Sequence, residues 1–537
     1  MYNVKLLDCT LRDGGYVNDW RFGHDHMVSI FERLVEAGVD VIEIGFLDER
    51  RPFDMDRSIM PDTDSVGKIY GKLDRKGAMV VGMIDYGTCS LEHIKPAAES
   101  FLDGIRVIFK KHLREPALAF CRELKALGYQ VFAQLVSVTS YSDEEMMDLI
   151  RLANDVKPYA VSIVDTYGLM HQDNLMHYFD LLNGNLDPSI TLGYHAHNNF
   201  QMGYANCIAV LSRKIDQSVT RPVLVDGSIY GMGKSAGNAP IELIAMFMNN
   251  RMGKSYGISQ ILESADANVS QFYQPATWGY NMFYYLSASN DCHPNYVSYL
   301  MNKQTLSIKS INDILGKLEG DKKLLYDKAY IEKLYQDYQD NEINDAEARE
   351  ALRPILKSRP ILLMGPGASI KKQKAHILKF ATQKKPLVIS INQITEYLPP
   401  DYIFLSNSKR YVQLATRLTQ EKHHIIATSN VTGTTPDAFD YVLNISALMD
   451  RDAEYVDNSL VMFLKLLVDL GVKKVYLAGF DGYSTRGANY ADAAMTYDFV
   501  RAKAEYLNTY VSAFLQSLKG KLSVRFLTET HYLAGKK

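Results

Sequence analysis

Three short segments of this 537-residue chain gather residue types that do chemistry. Asp8-Cys9-Thr10-Leu11-Arg12-Asp13-Gly14-Gly15 sets a carboxylate beside a guanidinium on a glycine-rich turn. Such a pair can hold a cation and an anionic substrate side by side, although an Arg-Asp pair is also a common surface ion pair. His195-Ala196-His197-Asn198 puts two imidazoles at i and i+2 of an extended run, where side chains share a face. They can meet one metal ion, or they are two polar residues near a strand end. Asp226-Gly227-Ser228-Ile229-Tyr230-Gly231-Met232-Gly233-Lys234-Ser235-Ala236-Gly237-Asn238 offers either close backbone approach to a ligand or a tight structural turn. It is not a Walker A loop, because Ser228 stands where the first glycine would be, and Ala236 breaks the GxGxxG pattern. Taken together, Asp13, His195 and His197 leave part of an octahedral sphere open for substrate and water, which suits Mg²⁺ or Mn²⁺ as a Lewis acid.

These segments need a frame. Apolar runs read as strands at 4–9, 39–46, 78–84, 104–109, 130–136, 160–164, 191–197 and 222–225. Helical patterns such as HMVSIFERLVEAG and ALAFCRELKALG separate most of them. Eight β units alternating with helices predict a (β/α)8 TIM barrel over residues 1–255, with a doubly wound open sheet as the alternative. All three segments fall at strand C-terminal ends, where barrels build their sites. Residues 256–357 read as a helical extension and linker. The aromatic part (FYQPATWGYNMFYYLSA) packs on the barrel, and 311–353 form solvent-exposed charged helices. From Pro360 the character changes. ILLMGPGASI, PLVISIN, DYIFLSN, HHIIATS, YVLNIS and KKVYLAGFDGY read as strands of a second, Rossmann-like α/β domain over 358–537.

Composition fits two or three soluble globular domains: 47% hydrophobic and 23% charged residues, with a net charge of −3. That charge gives no reason to expect nucleic acid or an anionic membrane as partner. Five cysteines without a CxxC pair argue against a zinc finger or a disulfide framework and fit a reducing cytoplasm. The start, MYNVKLLDCTLRDGG, lacks a signal-peptide pattern, and no apolar run approaches the roughly 20 residues of a membrane span.

The motifs D-x-T-L-R-D-G, H-x-H-N and G-x-G-x-x-x-G-N, after strands one, seven and eight, resemble those of a metal-dependent barrel superfamily of pyruvate aldolases and acyl lyases. Its members include 4-hydroxy-2-oxovalerate aldolase, 3-hydroxy-3-methylglutaryl-CoA lyase and isopropylmalate synthase, and the resemblance covers about residues 1–300. The Arg-Asp-Gly-Gly-Tyr variant and the aromatic segment are most similar to the 4-hydroxy-2-oxovalerate aldolase-like branch. The resemblance implies Asp13, His195, His197 and Asn238 as metal ligands, Glu43 near the metal, and Arg12 on the enolate oxygen of a pyruvate-like fragment. It also implies that Asp165 and Thr166 touch substrate. A departure stands at Tyr16, where the aldolases carry a basic histidine. A tyrosine is a poor base at neutral pH. His24, His26, Tyr284 and Tyr285 are other candidates. The loop after strand eight has no cysteine, which disfavours the acyl-CoA lyase branch.

In the second domain Met364-Gly365-Pro366-Gly367-Ala368-Ser369 opens a helical stretch, a turn suited to phosphate or simply a strand–helix turn. With Ser390-Ile391-Asn392 and Gly479-Phe480-Asp481-Gly482-Tyr483 it loosely resembles sialyltransferase and pterin-diphosphokinase-like Rossmann domains. That implies Gly365, Gly367, Ser369 and Asn392 near a nucleotide or nucleotide sugar. The expected function is a metal-dependent aldolase acting on a 2-oxo acid and an aldehyde, in surface-glycan or sugar-acid synthesis, as a homo-oligomer. The alternatives are a glycosyltransferase-like protein whose barrel binds a metabolite, and an acyl-CoA condensing synthase.

Overall fold

A computed structural model describes the chain except residues 1, 217–218, 275–276, 304–305, 307, 324, 340–342, 422, 432–438, 451–452, 454–455, 486–488, 492–499, 502 and 533–537. It divides into two compact units, Met1–Pro294 and Asn295–Lys537. No helix of the described residues is long and apolar enough to cross a membrane.

In the first unit eight parallel strands follow one another around a closed barrel: β1 (Val4–Asp8), β2 (Val41–Leu47), β3 (Met79–Asp85), β4 (Gly104–Phe109), β5 (Gln130–Leu135), β6 (Ala160–Asp165), β7 (Thr191–Ala196) and β8 (Val223–Gly227). Val4 pairs with Val223 and Leu7 with Val41, so β1 bridges β8 and β2 and closes the ring. All eight lie where the apolar runs predicted. Parallel strands buried on both faces read as near-continuous hydrophobic runs, which made them visible. Between β3 and β4 only short 3₁₀ turns occur, at Leu91–His93 and Ala97–Glu99.

The period of two along each strand sorts the barrel interior into layers. Leu7, Val41, Val81, Phe132, Ala160 and Leu224 pack together as an apolar floor. Two residues further along their strands stand Glu43, Gln134, Ser162 and Asp226, all buried, joined by Arg106 from β4. The remaining strand residues, including Leu6, Ile42, Val80, Ile105 and Val161, pack with the surrounding helices in the main core.

The barrel unit runs past 255. Tyr256, Ile261, Val269 and Trp278 join the barrel core, and Trp278 Nε1 donates to the Tyr230 carbonyl at 3.0 Å. The segment expected to pack on the barrel thus joins the first compact unit, which extends to Pro294. The expectation of solvent-exposed helices over 311–353 is also corrected. Ile311, Ile314, Leu315, Ile331, Tyr335 and Leu352 are buried, so these helices are amphipathic, and their dense charges mask one apolar face.

Among its described residues the second unit carries seven parallel strands: β9 (Ile361–Met364), β10 (Leu387–Ile391), β11 (Tyr402–Leu405), β12 (Ile425–Thr428), β13 (Tyr441–Leu443), β14 (Lys474–Ala478) and β15 (Ser523–Phe526). Their order is β13-β12-β11-β10-β9-β14-β15. The chain thus leaves β9 in one direction and returns on its other side at β14, a topological switch point. Six of these strands were predicted. β15 is short and only half-buried, and it gave no apolar run.

Candidate metal centre and active site

The segment after β1 is shaped by Asp8. Its carboxylate accepts from Thr10 N at 2.9 Å and from Thr10 Oγ1 at 2.7 Å, winding the chain into the short helix Thr10–Asp13. Thr10 Oγ1 in turn accepts from Ile229 N at 2.8 Å, which ties this turn to the β8 loop. Burial pushes Asp8 up to about 7 despite the Thr10 bonds.

This turn presents Arg12 and Asp13 side by side, both buried. Arg12 Nε donates to Glu43 Oε2 at 2.8 Å and Nη1 to Asp13 Oδ1 at 2.5 Å. The other Asp13 oxygen, Oδ2, accepts from Asn238 Nδ2 at 2.8 Å and from Lys234 N at 3.2 Å. Burial works against the Asp13 charge, but Arg12 and His197 more than offset it and hold the carboxyl well below its usual range.

His195 is the next-to-last residue of β7 and His197 lies just past its end, two residues on, so the two side chains share a face. Each is oriented through Nδ1. That of His195 meets Asp226 Oδ2 at 3.1 Å, and that of His197 meets the Asp165 carbonyl at 3.1 Å. A carbonyl only accepts, so Nδ1 of His197 is a donor, and in the neutral ring the lone pair is then on Nε2. Both Nε2 atoms are buried without a hydrogen-bond partner. Burial lowers His195 to about 4, keeping it neutral at physiological pH.

Ligand atoms of Asp13, His195 and His197 all lie within 4.8 Å of one another, and His197 Nε2 is 3.3 Å from Asp13 Oδ2. Two imidazole lone pairs and a carboxylate, each held by a partner behind it, are the donor set and support that a divalent cation needs. The buried Oδ1 of Asn238 also lacks a partner, so the asparagine predicted as fourth ligand stands in the same cluster. His197 and Asn238 form an isolated antiparallel bridge that fixes their separation.

Gly233 allows this closeness. A Cβ there would sit 2.3 Å from Asn238 Nδ2 and 2.7 Å from Asp13 Oδ2. Gly233→Ala is therefore expected to displace both groups and lower divalent-metal affinity about 10- to 100-fold. Equilibrium dialysis against Mn²⁺ checks this, and unchanged affinity would mean that the loop yields instead.

Other predicted residues fall in different places. Glu43 Oε2 takes bonds from both Arg12 and Arg106, the latter at 2.9 Å, while Oε1 is buried and unpartnered. Burial raises its carboxyl although Arg106 and Arg12 oppose this. Tyr16 sits at the mouth, 43% exposed, edge-on to Trp20. Desolvation and the Asp13 charge push its hydroxyl up to about 12, which suits a hydrogen-bond donor and not a base. His26 is bound to Asn268 at 2.9 Å, and Tyr284 donates toward Thr277 O. Among the described residues, none of His24, His26, Tyr284 and Tyr285 shares a hydrogen bond or ion pair with Arg12, Asp13, His195 or His197.

Asp165 and Thr166, expected to touch substrate, both have side chains engaged with backbone N–H groups. Asp165 Oδ1 accepts from Leu169 N at 2.9 Å and Oδ2 from Met170 N at 3.1 Å, so the carboxylate is spent on its own turn. Its carbonyl supports His197. Thr166 Oγ1 accepts from Ser137 N at 2.9 Å.

Sequence reading missed Arg106, the centre of the buried network. It is fully buried and donates to Glu43, to Gln134 Oε1 at 3.0 Å and to Asp226 Oδ2 at 2.5 Å. The signal was present: one charged residue alternating with Ile105 and Val107 in an otherwise apolar strand.

In the second unit the glycine turn is filled from within. Asp481 accepts from Ser369 N at 2.7 Å and also bonds Ser369 Oγ. A carboxylate thus holds the place expected for phosphate, and the helix it caps, Ser369–Lys372, has one turn. A Cβ on Gly365 would meet Gly479 O at 2.5 Å and one on Gly367 would meet Asp481 Oδ1 at 2.5 Å, so both glycines serve the crossing of the β9 and β14 loops. Asn392 is engaged with Ser406 N at 3.0 Å and Ser459 Oγ at 2.8 Å.

Comparison with known proteins bears on the first unit. Residues 3–267 match the HMGL-like family model. A 4-hydroxy-2-oxovalerate aldolase of Stutzerimonas stutzeri is 27% identical over 263 residues, 48% of this chain and 72% of the relative. An oxaloacetate decarboxylase of Mycobacterium tuberculosis is 26% identical over 261 residues, 46% of this chain and 70% of the relative. Among solved structures, the N-terminal domain of a proposed aldolase from Bacteroides vulgatus aligns over 57% of this chain and 98% of its own, at 21% identity and a TM-score of 0.46. Over residues 3–267 the N-terminal barrel thus matches the HMGL-like family and is similar to members of the (β/α)8 pyruvate-aldolase and acyl-lyase superfamily.

Proposed function

We propose that the barrel is a divalent-metal-dependent aldolase that makes or cleaves a carbon–carbon bond next to a pyruvate-type enolate. The observation that carries this is the juxtaposition of Arg12 with the Asp13–His195–His197 cluster. Bound there, Mn²⁺ or Mg²⁺ would supply Lewis acidity to the oxygens of a 2-oxo acid. Arg12 spends Nε on Glu43 and Nη1 on Asp13, and among the described residues Nη2 has no partner. That N–H edge is the donor available to an enolate oxygen where charge develops. Glu43 holds the guanidinium rigid. Tyr16, with its raised pKa, donates a hydrogen bond at the mouth.

Decarboxylation of a 2-oxo diacid passes through the same enolate, so the name of the mycobacterial relative points to a second reading of one site. The test begins with the full chain, Mn²⁺ and pyruvate in deuterated water. Exchange of the methyl protons without any acyl-CoA supports enolisation; its absence overturns the proposal. A screen of aldehydes with pyruvate, beside oxaloacetate alone, then separates carbon–carbon bond formation from decarboxylation.

For the second unit the reading is a site for a nucleotide or nucleotide sugar in the cavity at the switch point, lined by Gly367, Asn392, Asn407, Ser459 and Tyr483. Thermal shift of the full chain with a panel of nucleoside mono- and diphosphates and nucleotide sugars tests it, and no shift with any of them counts against it.

A further inference from the structure

One cation at the barrel mouth has no task in the reaction proposed above. Lys234 follows Gly233 in the β8 loop, and its backbone N–H is bonded to Asp13 Oδ2 at 3.2 Å. Its side chain turns toward Tyr16. Nζ lies 5.2 Å from the centre of the Tyr16 ring, on the half-exposed residue at the mouth rather than among the buried ligands. Among the described residues no carboxylate lies within ion-pair distance of it. A half-buried ammonium without a carboxylate partner carries a desolvation cost that one aromatic face offsets only in part. The charges it feels are mixed: Asp13 and Asp85 favour its ammonium and Arg12 opposes it. Asp85, at the end of β3, feels Lys110, Arg50 and Lys234, and Arg50 is already engaged with Asp48 at 2.7 Å.

We infer that Lys234 binds an anionic group on the second substrate, so that the acceptor is an aldehyde bearing a carboxylate or a phosphate. The inference rests on the aldolase reading and names the substrate class of that site. The 2-oxo acid is expected deeper, where Arg12, Asp13, His195 and His197 are all buried. The acceptor arrives from the solvent side, past Tyr16, and its far end lies at the level of Lys234. An ammonium at that level selects acceptors by charge and leaves the enolate to Arg12.

The experiment uses the full chain with Mn²⁺ and pyruvate. The acceptors are succinic semialdehyde, glyceraldehyde 3-phosphate, and their neutral counterparts butanal and glyceraldehyde. Wild type is expected to prefer at least one anionic acceptor over its neutral counterpart by about 10-fold or more in kcat/KM, the discrimination that one charge-assisted contact provides. The carboxylate and phosphate arms tell the two anions apart. Lys234→Met is expected to bring that ratio near one through the acceptor KM, and Lys234→Arg to restore part of it. Melting temperatures of both variants are compared with wild type, so that misfolding is recognised, and the arginine variant keeps the test decisive if the methionine variant misfolds. Equal use of neutral acceptors by wild type overturns the inference. So does a preserved ratio in Lys234→Met with only the pyruvate KM raised, or proton exchange without turnover of any acceptor. Failure of the aldolase reading shows differently, as no proton exchange into pyruvate at all.

Discussion

Asp13→Ala is expected to bind no stoichiometric divalent cation and to lose activity by about 10³-fold or more, the scale of a lost Lewis acid. Asp13 does more than offer one oxygen. Its Oδ1 pairs with Arg12, and its Oδ2 gathers Asn238 Nδ2, Lys234 N and the nearby His197. Removing it frees the loop that positions Asn238 and leaves Arg12 held by Glu43 alone. His195→Ala should lose metal as well, because no other residue of the cluster replaces its Nε2. Arg12→Lys is the informative contrast. A lysine puts its three N–H donors on one nitrogen and lacks the planar fork that spans Glu43 and Asp13 while turning a separate N–H edge to the substrate, so this variant should keep its metal and lose about 10²- to 10³-fold in kcat. Metal analysis by inductively coupled plasma mass spectrometry, beside initial rates, separates the two. Metal retained in Asp13→Ala and in His195→Ala would remove the basis of the metal centre. An unaffected kcat in Arg12→Lys would remove the guanidinium from the chemistry.

The barrel and the meeting of Asp13, His195 and His197 were legible in the sequence for a physical reason. Parallel strands buried on both faces advertise themselves as apolar runs, and the three motifs stand directly after such runs. The i, i+2 spacing of His195 and His197 needs no tertiary knowledge. What stayed hidden depends on partners far along the chain. Arg106 meets Glu43 across 63 residues and Asp226 across 120, so its lone charge in an apolar strand marks a buried cation but not the partners that make it the hub. Asp226 lay inside a segment singled out for its glycines, but its hold on His195 is a fact of the closed barrel. Asp165 and Asp481 show the converse. Each stands in a motif that suggested a ligand, and each spends its carboxylate on nearby backbone, Asp165 on its own turn and Asp481 on a turn 112 residues away. A short polar side chain beside unpaired N–H groups satisfies them itself, and a sequence does not reveal when it has done so.

Arg106→Met should destabilise the barrel by about 3–5 kcal/mol, the range for a buried charge left without its partner. The guanidinium is fully buried and answers two carboxylates, Glu43 and Asp226, with Gln134 taking a further N–H. Burial works against its charge, yet Asp226 and Glu43 more than offset this and raise it, so the cation is permanent. Burial likewise works against the Asp226 charge, while Arg106 and His195 lower the carboxyl overall. Without Arg106 both acids face an apolar floor of Leu7, Val41, Val81 and Leu224 with far less compensation. Neutralising them should repair most of the loss. The triple variant Arg106→Met, Glu43→Gln, Asp226→Asn is expected to unfold in urea much nearer to wild type than the single variant. Its activity should stay low, because Glu43 no longer fixes Arg12 and Asp226 no longer orients His195 by charge. A single variant as stable as wild type would mean that the network is not holding charge at all. A triple variant no better than the single would place the cost in lost packing against Phe132, whose ring lies 6.0 Å from the guanidinium carbon, rather than in stranded carboxylates.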